Sequence, residues 1–400
     1  MKLLYISALS SQRLISEIYE KTQANPGFAV QKFSRLLVQG LVRNQVEVSA
    51  LSVPPITRQY TSKFLFKEGV EIEGGVRYRY IPLLNLPLLK HIYMFLYSFF
   101  YVLLWGIKEK NNKAIICDVL CVSTSIGSLL ASKLCGLCSV AVVTDIYEQM
   151  VGEETHGVKS VIKKLAGYLN KRYVGSFSKY VLLTNAMNEL VNPKGRPYIV
   201  MEGLCDESLA DRDFTPKAKS YPKVIMYAGG LEERYGLKML VDAFKMIPDK
   251  DVELHLYGNG SYVDELIVET QRDQRIKFMG VKSNAEIVEA EDRATLLVNP
   301  RFASEEFTKY SFPSKNMEYM VSGTPLLTTC LPGMPEEYYP FVYLIEKENV
   351  EGYAQAISDV MVKSDDSLVA KGLSARDFVL RFKNNIFQSG RIVEFIKGDA

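Results

Sequence analysis

At 400 residues the chain exceeds one ordinary hydrophobic core, so two domains are expected. Its 48% apolar and 24% charged residues, without a low-complexity tract, describe a soluble globular protein. The net charge of +2 hides an asymmetry: residues 1–200 hold 24 Lys and Arg against 13 Asp and Glu, and residues 201–400 hold 24 against 33. A basic half (+11) joined to an acidic half (−9) points the first toward an anionic surface or a polyanion, the alternative being that unequal domains drift in charge without purpose; no nucleic-acid partner is expected.

Met1-Lys2 runs straight into Leu3–Ser7, which is too short for a secretory leader and reads as a first core strand. A helical pattern follows over Phe28–Val42, after Asn25-Pro26-Gly27. Val46–Val53 is a strand, and a hairpin turns at Gly74-Gly75 between Val70–Glu73 and Val76–Ile81. His91–Ile107 is 17 residues without a formal charge, dense in aromatics and bracketed by Lys90 and Lys108. That pattern fits a buried or half-buried helix, an interfacial helix or, at the short edge, a bilayer span. A strand at Ile115–Val122, a helix at Ser125–Leu134 and strands at Ser139–Thr144 and Lys179–Thr184 continue the alternation. Lys159, Lys163, Lys164, Lys171 and Arg172 share helical spacing with apolar residues, as on a basic amphipathic helix or a solvated outer face. The six cysteines read as free thiols, because Cys135-x-x-Cys138 has neither a second pair nor a nearby histidine to hold zinc. A reducing cytoplasm suits them.

The polar run 204–222 reads as a linker, after which the pattern starts afresh. Strands are expected at Lys223–Ala228, Val252–Tyr257, Arg275–Gly280, Thr295–Val298, Leu326–Thr329 and Val342–Ile345, with a helix over about Gly236–Ile247. Strands alternating with helices predict parallel sheets. The fold class is therefore α/β, with two Rossmann-like domains (1–203 and 223–374) facing across a cleft. A long C-terminal helix, 375–400, crosses back to the first.

Gly229 and Gly230 close one strand, where a doubly wound domain approaches phosphates, and Arg234 adds a cation there. Asn299–Thr328 carries more. An apolar run opens into a polar loop that tightens at Ser311-Phe312-Pro313-Ser314-Lys315, where a helix begins. Such a helix start presents unpaired N–H groups to an anion. Lys315 and Glu318, one turn apart, suit a phosphate and its ribose.

Tyr227-Ala228-Gly229-Gly230-Leu231, Tyr257-Gly258-Asn259-Gly260, Phe278-Met279-Gly280, Ser311-Phe312-Pro313-Ser314-Lys315-x-x-Glu318 and Ser322-Gly323-Thr324-Pro325 occur in that order. In this the chain resembles the retaining nucleotide-sugar glycosyltransferases of family 4 (glycosyl transferases group 1), which have the GT-B fold. The likeness covers nearly all of 220–350 and is looser before it. It implies that Glu318 holds the donor ribose and that Ser311, Phe312, Pro313 and Ser314 meet the donor diphosphate. Gly27 would belong to the first-domain glycine loop near the distal phosphate. The family's first glutamate falls at Tyr310, and its loop Arg and Lys at Gly230 and Tyr235. Arg234 and Lys315 are the candidates for the displaced charge, and Asp145 is the acceptor-side candidate.

With the free thiols, the basic first half and the apolar stretch at 91–107, the chain reads as a cytoplasmic, membrane-associated enzyme, peripheral at the inner face of the plasma membrane. By the resemblance it would move a sugar from a nucleoside diphosphate to a glycan or lipid-linked acceptor, with retention, in surface polysaccharide or glycolipid biosynthesis. Neither metal nor cofactor is expected. A sugar-nucleotide epimerase of the same fold and a non-catalytic scaffold of polysaccharide assembly are the alternatives.

Overall fold

A computed structural model describes residues 1–22, 28–54, 65–66, 69–84, 86–108, 112–146, 167–210 and 216–398. The chain forms two compact units, Met1–Leu204 with Asn385–Ala400, and Cys205–Asn384.

The first unit contains β1 (Lys2–Ser7), α1 (Gln12–Thr22), α2 (Phe28–Arg43), β2 (Glu47–Ser52), β3 (Leu65–Phe66), β4 (Gly69–Glu73), β5 (Val76–Tyr80), β6 (Leu83–Leu84) and α3 (Pro87–Lys108). It continues with β7 (Lys113–Asp118), α4 (Val122–Leu134), β8 (Cys138–Val143), a helical stretch at 167–174, β9 (Lys179–Leu182), α5 (Met187–Val191) and β10 (Tyr198–Val200). Eight strands form a sheet in the order β10-β9-β8-β7-β1-β2-β5-β4, parallel except for the β4–β5 hairpin. Near-continuous apolar runs such as Leu3–Ile6 and Ala114–Cys117 are buried throughout, as strands covered on both faces require.

The second unit contains β11 (Lys223–Gly230), α6 (Leu237–Lys245), β12 (Val252–Asn259), α7 (Val263–Arg272), β13 (Ile276–Gly280), α8 (Asn284–Arg293), β14 (Leu296–Asn299) and α9 (Ser314–Ser322). It ends with β15 (Leu326–Thr329), β16 (Tyr343–Ile345), α10 (Val350–Met361) and α11 (Asp365–Phe382). Its all-parallel sheet runs β13-β12-β11-β14-β15-β16. The period of two along β11 feeds two cores: Ile225 and Tyr227 pack on one face, and Val224, Met226 and Ala228 on the other.

Three expectations need adjustment. The terminal helix is two helices, α11 and α12 (Asn385–Lys397). The Asn384 side-chain amide donates to the Leu380 and Arg381 carbonyls and ends α11. Only the segment from Asn385 joins the first unit. The expected linker is partly structured: Cys205 is bridged to Asn384, and Asp206 caps a short turn at Glu207–Leu209. The strand expected to reach Val122 stops at Asp118, and α4 has begun by Val122.

Candidate donor site at the switch point of the second sheet

In the sheet order, β11 and β14 connect in opposite directions, the topological switch point where doubly wound sheets bind ligands. The two strands pair only at Ile225–Leu296 and Met226–Leu297, then part. Tyr319, fully buried on α9, fills the opening. Its hydroxyl accepts from the Ala228 amide at 2.8 Å and donates to the Ala228 carbonyl at 3.1 Å, satisfying a strand residue that has lost its neighbour.

A second buried link sets the start of α9. The Asn299 side-chain amide donates to the Asn316 carbonyl oxygen at 2.6 Å, and the Asn316 amide donates to Thr328 Oγ1 at 3.3 Å. Both asparagines are essentially excluded from water. The end of β14, the first turn of α9 and β15 are therefore held in one register.

Glycine is required at two points around the opening. Gly258 (φ +134°) lies where a Cβ would collide with the Gly229 carbonyl, and Gly236 (φ +80°) where one would collide with the Pro300 carbonyl. Gly229 and Gly230 end β11 as expected, under the Tyr227 hydroxyl and beside the Tyr235 ring.

Above these glycines sit two arginines, of which the sequence suggested one. Arg234 stacks on Tyr235 (5.2 Å to the centroid) and Phe307 (5.7 Å). Arg301, at the end of β14, stacks on the same rings at 4.7 and 5.9 Å. The rings are 6.2 Å apart. Among the described residues neither guanidinium has a carboxylate partner. Stacking fixes each plane while its N–H edges stay available to an anion. Two nearby carboxylates are already engaged: Glu232 accepts from Ser261 Oγ (2.6 Å), and Glu348 from the Ala303 amide (2.8 Å).

The predicted helix start is present. Pro313 precedes Ser314, Ser314 is exposed, and the first turn closes with the Asn316 amide donating to the Pro313 carbonyl. Among the described residues the Ser314 and Lys315 amides have no backbone acceptor, as the first turn of a helix leaves them.

Other expected residues have different surroundings. The Phe312 side chain is core, packed 5.4 Å from Tyr338, because the loop needs an apolar anchor. The Ser311 hydroxyl donates to the Phe307 carbonyl at 3.2 Å. Lys315 is bound to Glu318 at 2.8 Å, so its charge is already matched; the second Glu318 oxygen has no partner among the described residues. Tyr310 closes a short helical turn at Glu306–Lys309.

In the first unit Asp145 lies two residues beyond β8, exposed, its carboxyl raised above the usual range by desolvation. Its neighbour Asp118, at the end of β7, was not among the expected residues. Burial, aided by the Asp145 charge, pushes Asp118 up to about 6, although it accepts from the Leu120 amide at 3.0 Å. Gly27 and most of the basic segment (Lys159, Lys163, Lys164) lie outside the described residues.

Residues 222–363, most of the second unit, match the family described as Glycosyl transferases group 1. No curated protein sequence matches the chain. Solved structures match it from end to end. HepE of Anabaena in complex with UDP is similar at TM-score 0.60 and 14% identity, covering 100% of both chains. The apo lipopolysaccharide outer core galactosyltransferase WaaB gives 0.62 and 14%, also over 100% of both. Sucrose-phosphate synthase of Thermosynechococcus elongatus gives 0.60 and 13% over the same coverage. The fold is GT-B, as the sequence motifs implied.

Proposed function

We propose that this nucleotide-sugar glycosyltransferase binds its donor diphosphate between the stacked Arg234–Arg301 pair and the open amides of α9. The observation that carries the reading is the pair itself: two guanidiniums held by aromatic rings, without carboxylate partners among the described residues, at the switch point of a parallel sheet. Breaking the bond from the sugar to its diphosphate leaves growing negative charge on the phosphate oxygens. Fixed cations and helix amides that need not reorganise stabilise that charge, and no metal is then required.

In this reading Glu318 accepts a ribose hydroxyl on its open oxygen, and Lys315 orients it from the other. Arg301 takes over the charge missing at Gly230 and Tyr235. Transfer proceeds with retention, as the family resemblance implies. The acceptor is a glycan or lipid-linked glycan at the cytoplasmic face of the membrane, within surface polysaccharide or glycolipid assembly. WaaB, a lipopolysaccharide glycosyltransferase, supports that acceptor class, and the HepE complexes with UDP and UDP-glucose support UDP as a first base to test.

The experiment is a thermal-shift screen against UDP, GDP and ADP and their sugars, with EDTA present, followed by nucleotide release in the presence of glycolipid acceptors. One nucleoside diphosphate should stabilise the parent, and the gain should disappear in Arg234→Ala/Arg301→Ala. If no nucleotide binds, the scaffold alternative takes the place of this reading; nucleotide-sugar turnover without an acceptor would favour the epimerase.

A further inference from the structure

In the first unit α3 is built the wrong way round for a helix meant to be hidden. Its buried side includes Met94, Ser98 and Val102, while Leu89, Ile92, Leu96, Phe100, Leu104 and Ile107 point outward, between 44 and 62% exposed. These six recur at three- and four-residue steps, which places them on a single arc of the helix. Only 17% of its 18-residue apolar window is buried, at a mean hydropathy of 1.2.

The helix it packs against, α4, extends the same surface. Val122, Leu130 and Leu134 are exposed on it, Leu134 at 71%. The two helices run side by side in the same direction: His91 bonds Ser123, Gly127 abuts the Phe95 carbonyl, and Gly106 meets Cys135. Small residues at these contacts bring the backbones close, as in helix pairs that hold together without a hydrophobic drive between them. Small groups therefore make the closest contacts between the helices, and much of the bulky apolar surface is left facing out.

Neither helix contains Asp or Glu. Lys90 and Lys108 stand near the two ends of α3. Lys133 stands on α4, with Lys194 and Arg196 close enough to repel its charge. The C-terminal part of α3 is tied into the unit, since Lys113 Nζ donates to the Trp105 carbonyl at 3.1 Å and sits 4.8 Å over its ring. A helix fixed in this way lies along a surface and does not cross one.

We infer that the α3–α4 face docks on the surface of an anionic lipid bilayer, its apolar arc entering the headgroup boundary and its lysines meeting the lipid charge. A large exposed apolar patch needs an occupant. A second copy is disfavoured, because self-pairing would bring lysines of one sign together with no acid on either helix to offset them. The inference uses the first unit alone, so it can fail while the donor site stands.

Flotation of the full chain with phosphatidylglycerol–phosphatidylcholine vesicles tests it. The parent floats with them, less as salt rises and less with phosphatidylcholine alone. Phe100→Asp/Leu104→Asp lowers partitioning about tenfold or more, consistent with losing two inserted apolar side chains. Lys108→Glu/Lys133→Glu loses the preference for anionic vesicles. Circular dichroism and thermal unfolding like the parent's show that both variants fold. A parent that does not float at low salt, or a Phe100→Asp/Leu104→Asp variant that floats as well as the parent, overturns the inference. So does a lipid-free dimer in sedimentation that the aspartates dissolve, which would give the face to a second copy.

Discussion

The two parallel sheets end in opposite chemistry. At the switch point of the second, β11 and β14 part around a tyrosine, and over the gap stand two guanidiniums that have no carboxylate partner among the described residues. At the corresponding place in the first, where β1 lies beside β7, the strand end carries a buried acid, Asp118, with Asp145 near it. Similar architecture has thus been given a cationic end and an acidic end. The fold places a ligand, and the side chains at the strand ends decide its charge. The cationic end suits a diphosphate, while the acidic end would repel one and suits a neutral hydroxyl.

The strongest way to break this comparison is to remove the cationic end. Arg234→Ala/Arg301→Ala should weaken nucleoside diphosphate binding about 10²-fold or more in calorimetry, since each charge-assisted hydrogen bond contributes roughly 1.5–3 kcal/mol. Equal affinity in the double variant would place the diphosphate elsewhere.

Next in size is the acidic end. Asp118 titrates at about 6 when folded, against an ordinary 3.8. A carboxyl raised in this way favours the folded state below about 4, and that contribution is lost as the pH rises through 6. Asp118→Asn should therefore be more stable than the parent at pH 8, by at most about 3 kcal/mol, with the difference gone by pH 4. Urea titrations at the two pH values measure it. Nucleotide affinity should not change, and a change would mean the two ends are not separate in function.

Tyr319→Phe sharpens the role of the gap. It leaves the buried Ala228 amide and carbonyl unpartnered and should cost about 1–2 kcal/mol in stability. The smallest effect is expected from Lys315→Ala. Its charge is already matched by Glu318, so nucleoside diphosphate affinity should fall by no more than about threefold. A much larger loss would restore Lys315 as a principal phosphate ligand.

The second unit was more legible than the first, for a physical reason. Its strands are short apolar runs closed by Gly, Pro or Asn, so Leu326–Thr329 was located to the residue and β11, β12 and β14 to within two. In the first unit α1 escaped, because Leu14, Ile15 and Ile18 are diluted by charged neighbours. The split between α11 and α12 escaped as well, because an asparagine capping carbonyls interrupts the helix without breaking its apolar period.

In the candidate site the sequence showed what is local: the glycine strand ends, the helix start at Ser314 and the Lys315–Glu318 spacing. It could not show that Arg301 joins Arg234, because rings from two separate loops, Tyr235 and Phe307, bring them together. Nor could it show that Phe312 turns inward, which depends on packing; the ion pair that neutralises Lys315, by contrast, was open to the three-residue spacing from Glu318. A signal for Arg301 did exist: an arginine immediately after the strand-ending Asn299-Pro300 lies where ligands of such sheets sit.

The central claim is that the second sheet holds a donor diphosphate at its switch point. A crystal structure of the chain soaked with UDP tests it most directly. The account predicts phosphate oxygens within hydrogen-bonding distance of the Arg234 or Arg301 guanidinium and of the Ser314 amide, with a ribose hydroxyl on Glu318. A bound nucleotide that leaves these groups untouched would contradict it.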